Sequence, residues 1–167
     1  AIFDAANTDG NILAPLPARL AAVFENNEND YRYNLNWQAP STGLKPYKTF
    51  YKYTDVVDKT KLFRFTIPLI KISEMYYIAA ESEPNASDGI SNYLNVVRFN
   101  RGLTNLATTV NINTELQKEY QKEFYGEGQL FYYYKRRNLT SIPSGSSTSN
   151  ITVNYAIPIP LSESQYR

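Results

Sequence analysis

Apolar positions recur with a helical period through the middle of the chain and lose that period on either side. The stretch PARLAAVF (Pro17–Phe24) predicts a short helix opened by proline. Asn26–Tyr53 (NNENDYRYNLNWQAPSTGLKPYKTFYKY) has no sustained period. It reads as loop, with at most a short strand within Thr49–Thr54. Over residues 67–81, Leu69, Ile72, Met75/Tyr76 and Ala79 fall at i, i+3, i+4 spacing and predict a helix with that apolar face. EPNASDG (Glu83–Gly89) breaks it. A second helix is expected with Asp88 as its cap, Ile90, Tyr93, Leu94 and Val97 as its inner face and Gly102 at its C′ position. Pro68 to Gly102 is then a helical hairpin of about 35 residues, near the ~34-residue tetratricopeptide unit.

A third helix is expected from Asn113/Thr114, with Thr114 and Gln117 as a capping box. Leu116, Tyr120, Phe124, Phe131 and Tyr134 follow one stripe and are expected in the core, leaving Tyr132 and Tyr133 off it. Gly126 and Gly128 interrupt the stripe, which implies a bend or the close approach of another backbone. Ser141–Asn150 reads as a flexible loop, and the last residues, with Pro158 and Pro160, as extended. The expected architecture is mainly α: a tetratricopeptide-like hairpin plus a further helix, with long irregular loops and little β. It is one domain over 1–167, divided into 1–66, 67–137 and 138–167.

Composition narrows the chemistry. The 167 residues carry 17 Lys+Arg and 16 Asp+Glu, for a net charge of +1, without the basic excess of a nucleic-acid binder. There is no long apolar run to span a membrane. Cysteine and histidine are absent, which removes thiolate chemistry, Cys-type zinc sites and the usual general base. No cofactor or metal is indicated. The opening AIFDAANTDG has neither Met nor a signal region, so the chain is expected to be a mature or excised segment.

Three groups of residues could carry function. Glu115, Glu119, Glu123 and Glu127 share one i, i+4 row. A glycosidase would need two opposed carboxyls across a cleft. A row on one helix instead calls for cations, with Lys118 and Lys122 at i+3 and Arg98, Arg101 and Lys71 from elsewhere. Lys135-Arg136-Arg137 could hold phosphate, but three cations at a helix C-terminus also complement its dipole. Asn85, Asn138 and Asn150 open N-x-Ser/Thr triplets, a pattern that arises readily by chance in an Asn-rich chain.

The third group is aromatic. Fifteen tyrosines and one tryptophan are present, and Tyr31, Tyr33, Trp37, Tyr47, Phe50, Tyr51 and Tyr53 cluster in the aperiodic stretch, with Asn36 beside Trp37. A loop Trp among amides suits the apolar face and hydroxyl rim of a sugar ring. It suits equally a loop anchored to the helical body by its Trp. Both readings stand at this point.

Several segments, in order, resemble one family. IPLIKISEMYYIAAES (Ile67–Ser82) is similar to PLIRLAEVYLIRAEA, LNVVRFNRGL (Leu94–Leu103) to LNxVRxRAGL, and EYQKEFYGEGQLFYYYKR (Glu119–Arg136) to ERRRELAFEGQRWFDLIR. IPIPLSE (Ile157–Glu163) is similar to PIPxSE, and LPARLAAVFENNENDYR to a short helix followed by an Asp-x-Arg turn. This is the pattern of the C-terminal region of the SusD/RagB family of outer-membrane nutrient-binding lipoproteins, over about residues 15–167. Glu74, Glu81, Arg98, Glu123, Glu127, Gly128 and Arg136 match it, and the resemblance marks the charged ones as a structural ion-pair motif. Lys71 stands for Arg, Tyr120 for Arg, Gly126 for an aromatic, Leu130 for Arg and Tyr133 for Asp, so the charge network is expected to be thinner here.

The resemblance implies a SusD-like α-fold and a cell-surface lipoprotein tethered by an N-terminal lipidated Cys. It implies binding of oligosaccharides, or peptides in some members, and delivery to a SusC-like TonB-dependent transporter, without catalysis. Family members are longer, so apolar faces of this chain are expected to pack on an N-terminal half. The ligand residues expected here are Trp37, Tyr31, Tyr33, Asn36, Tyr47 and Tyr51. The alternatives are a transporter-docking module whose ligand site lies in that other half, and, more remotely, a carboxylate-based glycosidase.

Overall fold

The structure, a computed structural model, describes residues 3, 5–39, 45–52, 60, 68–156 and 159. Tyr53, the end of the Thr49–Thr54 stretch and nearly all of the IPIPLSE segment lie outside these residues. A 3-10 turn at Asp9–Asn11 precedes helix α1 (Pro17–Phe24), which forms as expected behind its proline. Helix α2 (Tyr31–Asn36) follows, where loop was expected. Its start signal is Asp30, whose carboxylate accepts the Arg32 backbone N–H at 3.0 Å. Six residues rich in Asn and Tyr are too short to display a helical period. Strand β1 (Trp37–Gln38) pairs antiparallel with β2 (Thr49–Phe50), Trp37 opposite Phe50.

Helix α3 (Ile72–Ser82) begins later than expected and buries a different face. Ser73, Tyr77 and Ala80 point inward, while Leu69, Ile72, Met75 and Ile78 are exposed. The second arm of the hairpin runs as α4 (Ala86–Gly89), a wide π turn (Ile90–Leu94) and α5 (Asn95–Phe99). Its cap is Asn85, not Asp88: the Asn85 side chain accepts the Ser87 N–H at 3.1 Å. Ile90, Leu94 and Val97 are buried and Tyr93 packs on them, as the periodicity required. The arms touch closely, since a Cβ on Gly89 would lie 2.6 Å from the Ala80 carbonyl. The Leu103 N–H donates to Arg98 and the Gly102 N–H to Phe99, with Gly102 at φ 81°. This is the Schellman pattern with Gly102 in the expected role.

Helix α6 (Ile112–Phe124) lies centrally, in contact with α1, α2, α3 and α7 (Gln129–Arg136). Asn111 caps it, accepting from Asn113 and Thr114, in place of the expected Thr114/Gln117 box. The chain bends between α6 and α7 at Gly126 and Gly128, both at positive φ. What approaches Gly126 is the Phe3 ring, 2.8 Å from where a Cβ would sit, and not a backbone. The bend shifts the stripe: Leu116, Tyr120, Phe124 and Tyr134 are core, Phe131 is exposed, and Tyr133 is core. Ser141–Asn150 is not a free loop. Strands β3 (Ser141–Pro143) and β4 (Asn150–Thr152) pair antiparallel. Arg19 from α1 donates to the Ser147 carbonyl at 2.7 Å and to that of Thr148. Mainly helical structure with two small strand pairs among the described residues is the fold class the sequence implied.

Candidate functional site

The carboxylate row of α6 lies inside a network of cations. Glu119, fully buried, meets Arg32 at 2.8 Å, Arg98 at 3.0 Å and Lys122 at 3.1 Å, and accepts the Tyr77 hydroxyl at 3.3 Å. Glu123 meets Arg101 at 3.0 Å and Arg32 at 3.4 Å. Glu127 meets Lys52 at 2.6 Å and Lys71 at 2.7 Å, and Glu115 meets Lys118 at 2.7 Å. Asp30 completes the set through Arg32 at 2.8 Å. Arg32, Asp30 and Lys52 are partners that the sequence pattern does not reveal, because their segment shows no helical period.

Electrostatics follow from this packing. Burial alone would raise the Glu119 carboxyl, yet Arg32, Lys122 and Arg98 outweigh it and hold the pKa at about 2. Glu123 is also lowered, with Arg101, Arg32 and Lys71 overcoming its burial. Burial lowers Lys71, assisted by neighbouring Lys52 and opposed by Glu127. At neutral pH these carboxyls are ionised ion-pair partners. Removing one member of a buried pair costs about 3–5 kcal/mol by stranding the other charge. The network clasps α2, α3, α5 and α6 together.

Glu81, Arg136 and Arg137 form a second, more exposed group. Both Nη atoms of Arg136 reach Glu81 at 2.7 Å, and Arg137 reaches it at 3.0 Å. Glu74 sits apart, on the rim of an open cleft of about 430 Å³ with Tyr120, Gln129, Tyr132, Tyr133 and Arg136.

The expected ligand residues do not form one site. Trp37 is 3 % exposed, with Phe50 and Tyr125 centred 4.9 and 4.8 Å from it. It anchors its segment in the aromatic cluster, with almost none of its surface open to solvent. Tyr33 is buried in the same cluster, against Phe24 at 5.0 Å and beneath the Lys48 ammonium at 3.7 Å. The Asn36 carbonyl accepts the Tyr51 N–H at 2.7 Å, continuing the strand pair. The Tyr47 hydroxyl donates to Asp9, beside Lys45. Tyr31 differs from the rest. It is 57 % exposed and, with Phe99, Asn100, Thr104 and Asn105, lines an open depression of about 680 Å³ at the surface. Phe99 was not expected there. Its signal was a place off the buried Ile90–Leu94–Val97 stripe.

Among the described residues no His/Cys/Asp/Glu group is arranged to hold a metal ion, and no helix is long and apolar enough to cross a membrane. The fold and its charges define a helical scaffold clasped by a buried ion-pair network, with aromatic rings left on its surface. Residues 16–163 match the model of the SusD family, and the chain belongs to that family. Membership implies nutrient or glycan binding at the outer membrane. No match was found among curated proteins or among solved structures.

Proposed function

We propose that the chain binds nutrient oligosaccharides without transforming them, at the cell surface on the outer face of the outer membrane as part of a lipid-anchored protein, and serves their delivery to a SusC-like TonB-dependent transporter. Family membership over residues 16–163 carries this reading. The state of the carboxylates supports the non-catalytic part. A glycosidase needs one carboxyl held protonated near neutral pH and a second across a cleft. The row on α6 is buried among cations, with Glu119 held at about 2. Calorimetric titration of the full chain with neutral plant, mucin and starch oligosaccharides, with reducing ends assayed alongside, tests the proposal. Heat of binding without new reducing ends is expected. No binding by any of them, or release of reducing ends, would overturn it.

A second reading, a module that docks the transporter, is favoured by one observation. Leu69, Ile70 and Ile72 are 87, 79 and 74 % exposed, and Met75 and Ile78 extend the same apolar strip along α3. Such strips mark protein contacts. Retention of the chain on immobilised transporter, lost on Ile72→Glu while glycan titrations stay silent, would favour docking over glycan binding.

A further inference from the structure

Two aromatic rings from different helices stand exposed side by side at the surface. Phe99 ends α5 with 73 % of its surface exposed, and Tyr31 opens α2 at 57 %. They come from segments far apart in sequence and share one surface. Their neighbours fix them from below. Asp30 and Arg32 flank Tyr31, Arg98 precedes Phe99, and all three are buried in the ion-pair network. The Tyr31 N–H donates to the Arg101 carbonyl at 3.0 Å, tying the start of α2 to the end of α5. Gly102 lets the Tyr31 ring lie against the backbone there, since a Cβ would fall 2.7 Å from a ring carbon. The rings therefore stand on a rigid base.

Around them the surface is polar but uncharged: Asn100, Thr104 and Asn105 are exposed at its edge. The Asn100 amide nitrogen is held by the Val96 carbonyl at 2.8 Å, which fixes that side chain's orientation. Ring faces beside a fixed amide, a second amide and a hydroxyl match a pyranose, with its apolar C–H face and hydroxyl rim. The cleft beside Tyr132 is instead rimmed by Glu74, Lys135 and Arg136 and suits a charged ligand.

We infer that Tyr31 and Phe99 form a stacking platform for a neutral oligosaccharide, oriented by Asn100, Thr104 and Asn105. The inference rests on the glycan-binding reading above and assigns its contact surface. The test is calorimetry of the full chain, wild type and Tyr31→Ala/Phe99→Ala, with maltoheptaose, cellohexaose and xylohexaose, with folding checked by circular dichroism. Wild-type binding to at least one of these, weakened about tenfold or more in the double variant and retained in the single variant Phe99→Trp, is expected. Equal binding by wild type and double variant would overturn the platform and leave the glycan reading standing. Binding that Lys135→Ala/Arg136→Ala abolishes, with the double variant unaffected, would move the site to the cleft. No binding of any neutral glycan by the wild type would overturn both.

Discussion

The rings of Tyr120 and Tyr133 stack face to face, 4.1 Å between centroids and 17° between planes. Both stand where the resembling motif carries a charge, Arg for Tyr120 and Asp for Tyr133. At this place the chain has an aromatic contact, and the two departures touch. Both hydroxyls are pushed up to about 12 by burial, so the pair is neutral at any working pH. Tyr133→Ala should lower unfolding free energy by about 3 kcal/mol through lost contacts and a cavity. Tyr133→Phe keeps the stack and should cost less than ~1.5 kcal/mol. Urea denaturation of the two variants measures the difference.

Glu119 makes stability depend on acid. Its folded pKa, about 2, lies below the ordinary 4.5. The unfolded chain therefore binds this proton more readily. The contribution is fully present above pH 4.5 and is lost as pH falls toward 2. Thermal melts between those limits should show the decline. Glu119→Gln should reduce the slope, leaving the part that Glu123, also held below its ordinary value, contributes. It should also destabilise by about 3–5 kcal/mol at neutral pH, because Arg32 and Arg98 lose their buried partner.

Trp37 is the single tryptophan, so its emission reports on one place. Packed by Phe50 and Tyr125, it should emit at short wavelength and resist quenching by acrylamide. Addition of an oligosaccharide should leave that emission unchanged, since the platform of Tyr31 and Phe99 lies elsewhere. Trp37→Ala should destabilise by about 3–5 kcal/mol.

Gly102→Ala places a Cβ at φ 81°, against the Asn29 carbonyl and the Tyr31 ring. The backbone strain alone is worth about 1–2 kcal/mol. The collision must also displace Tyr31. Lower stability and weaker glycan binding are therefore expected together in this variant, read by melting and by calorimetry.

Much of the fold was legible because local signals and burial agreed. Pro17 opened α1, and Ile90, Leu94 and Val97 faced inward behind a left-handed Gly102. The inner face of α3 was not legible from hydrophobicity. Its more apolar face, with Ile72, Met75 and Ile78, is the exposed one. The buried face carries Ser73, Tyr77 and Ala80 because Gly89, lacking a Cβ, comes close to the Ala80 carbonyl and the Tyr77 hydroxyl reaches Glu119. Small size and a hydrogen bond decided the orientation, and hydropathy scores neither. The aromatic segment misled for a related reason. Two-residue strands are too short to read, yet pairing Trp37 with Phe50 folds the ring inward and leaves Tyr31, six residues earlier, outside. The cations for the α6 row were readable by charge balance, except those in that same segment.

The wide turn at Ile90–Leu94 bears on how this chain can change length. A π turn holds one residue more than an α turn while the helix beyond it keeps its rotational phase. Elsewhere in a helix, losing one residue turns everything downstream by about 100°. Here, deleting exposed Asn92 should let the turn relax to an α turn, with Ile90 still facing inward and Arg98 still opposite Glu119. This hairpin thus contains one residue of spare length, and a single-codon deletion there should be inherited as a silent trait.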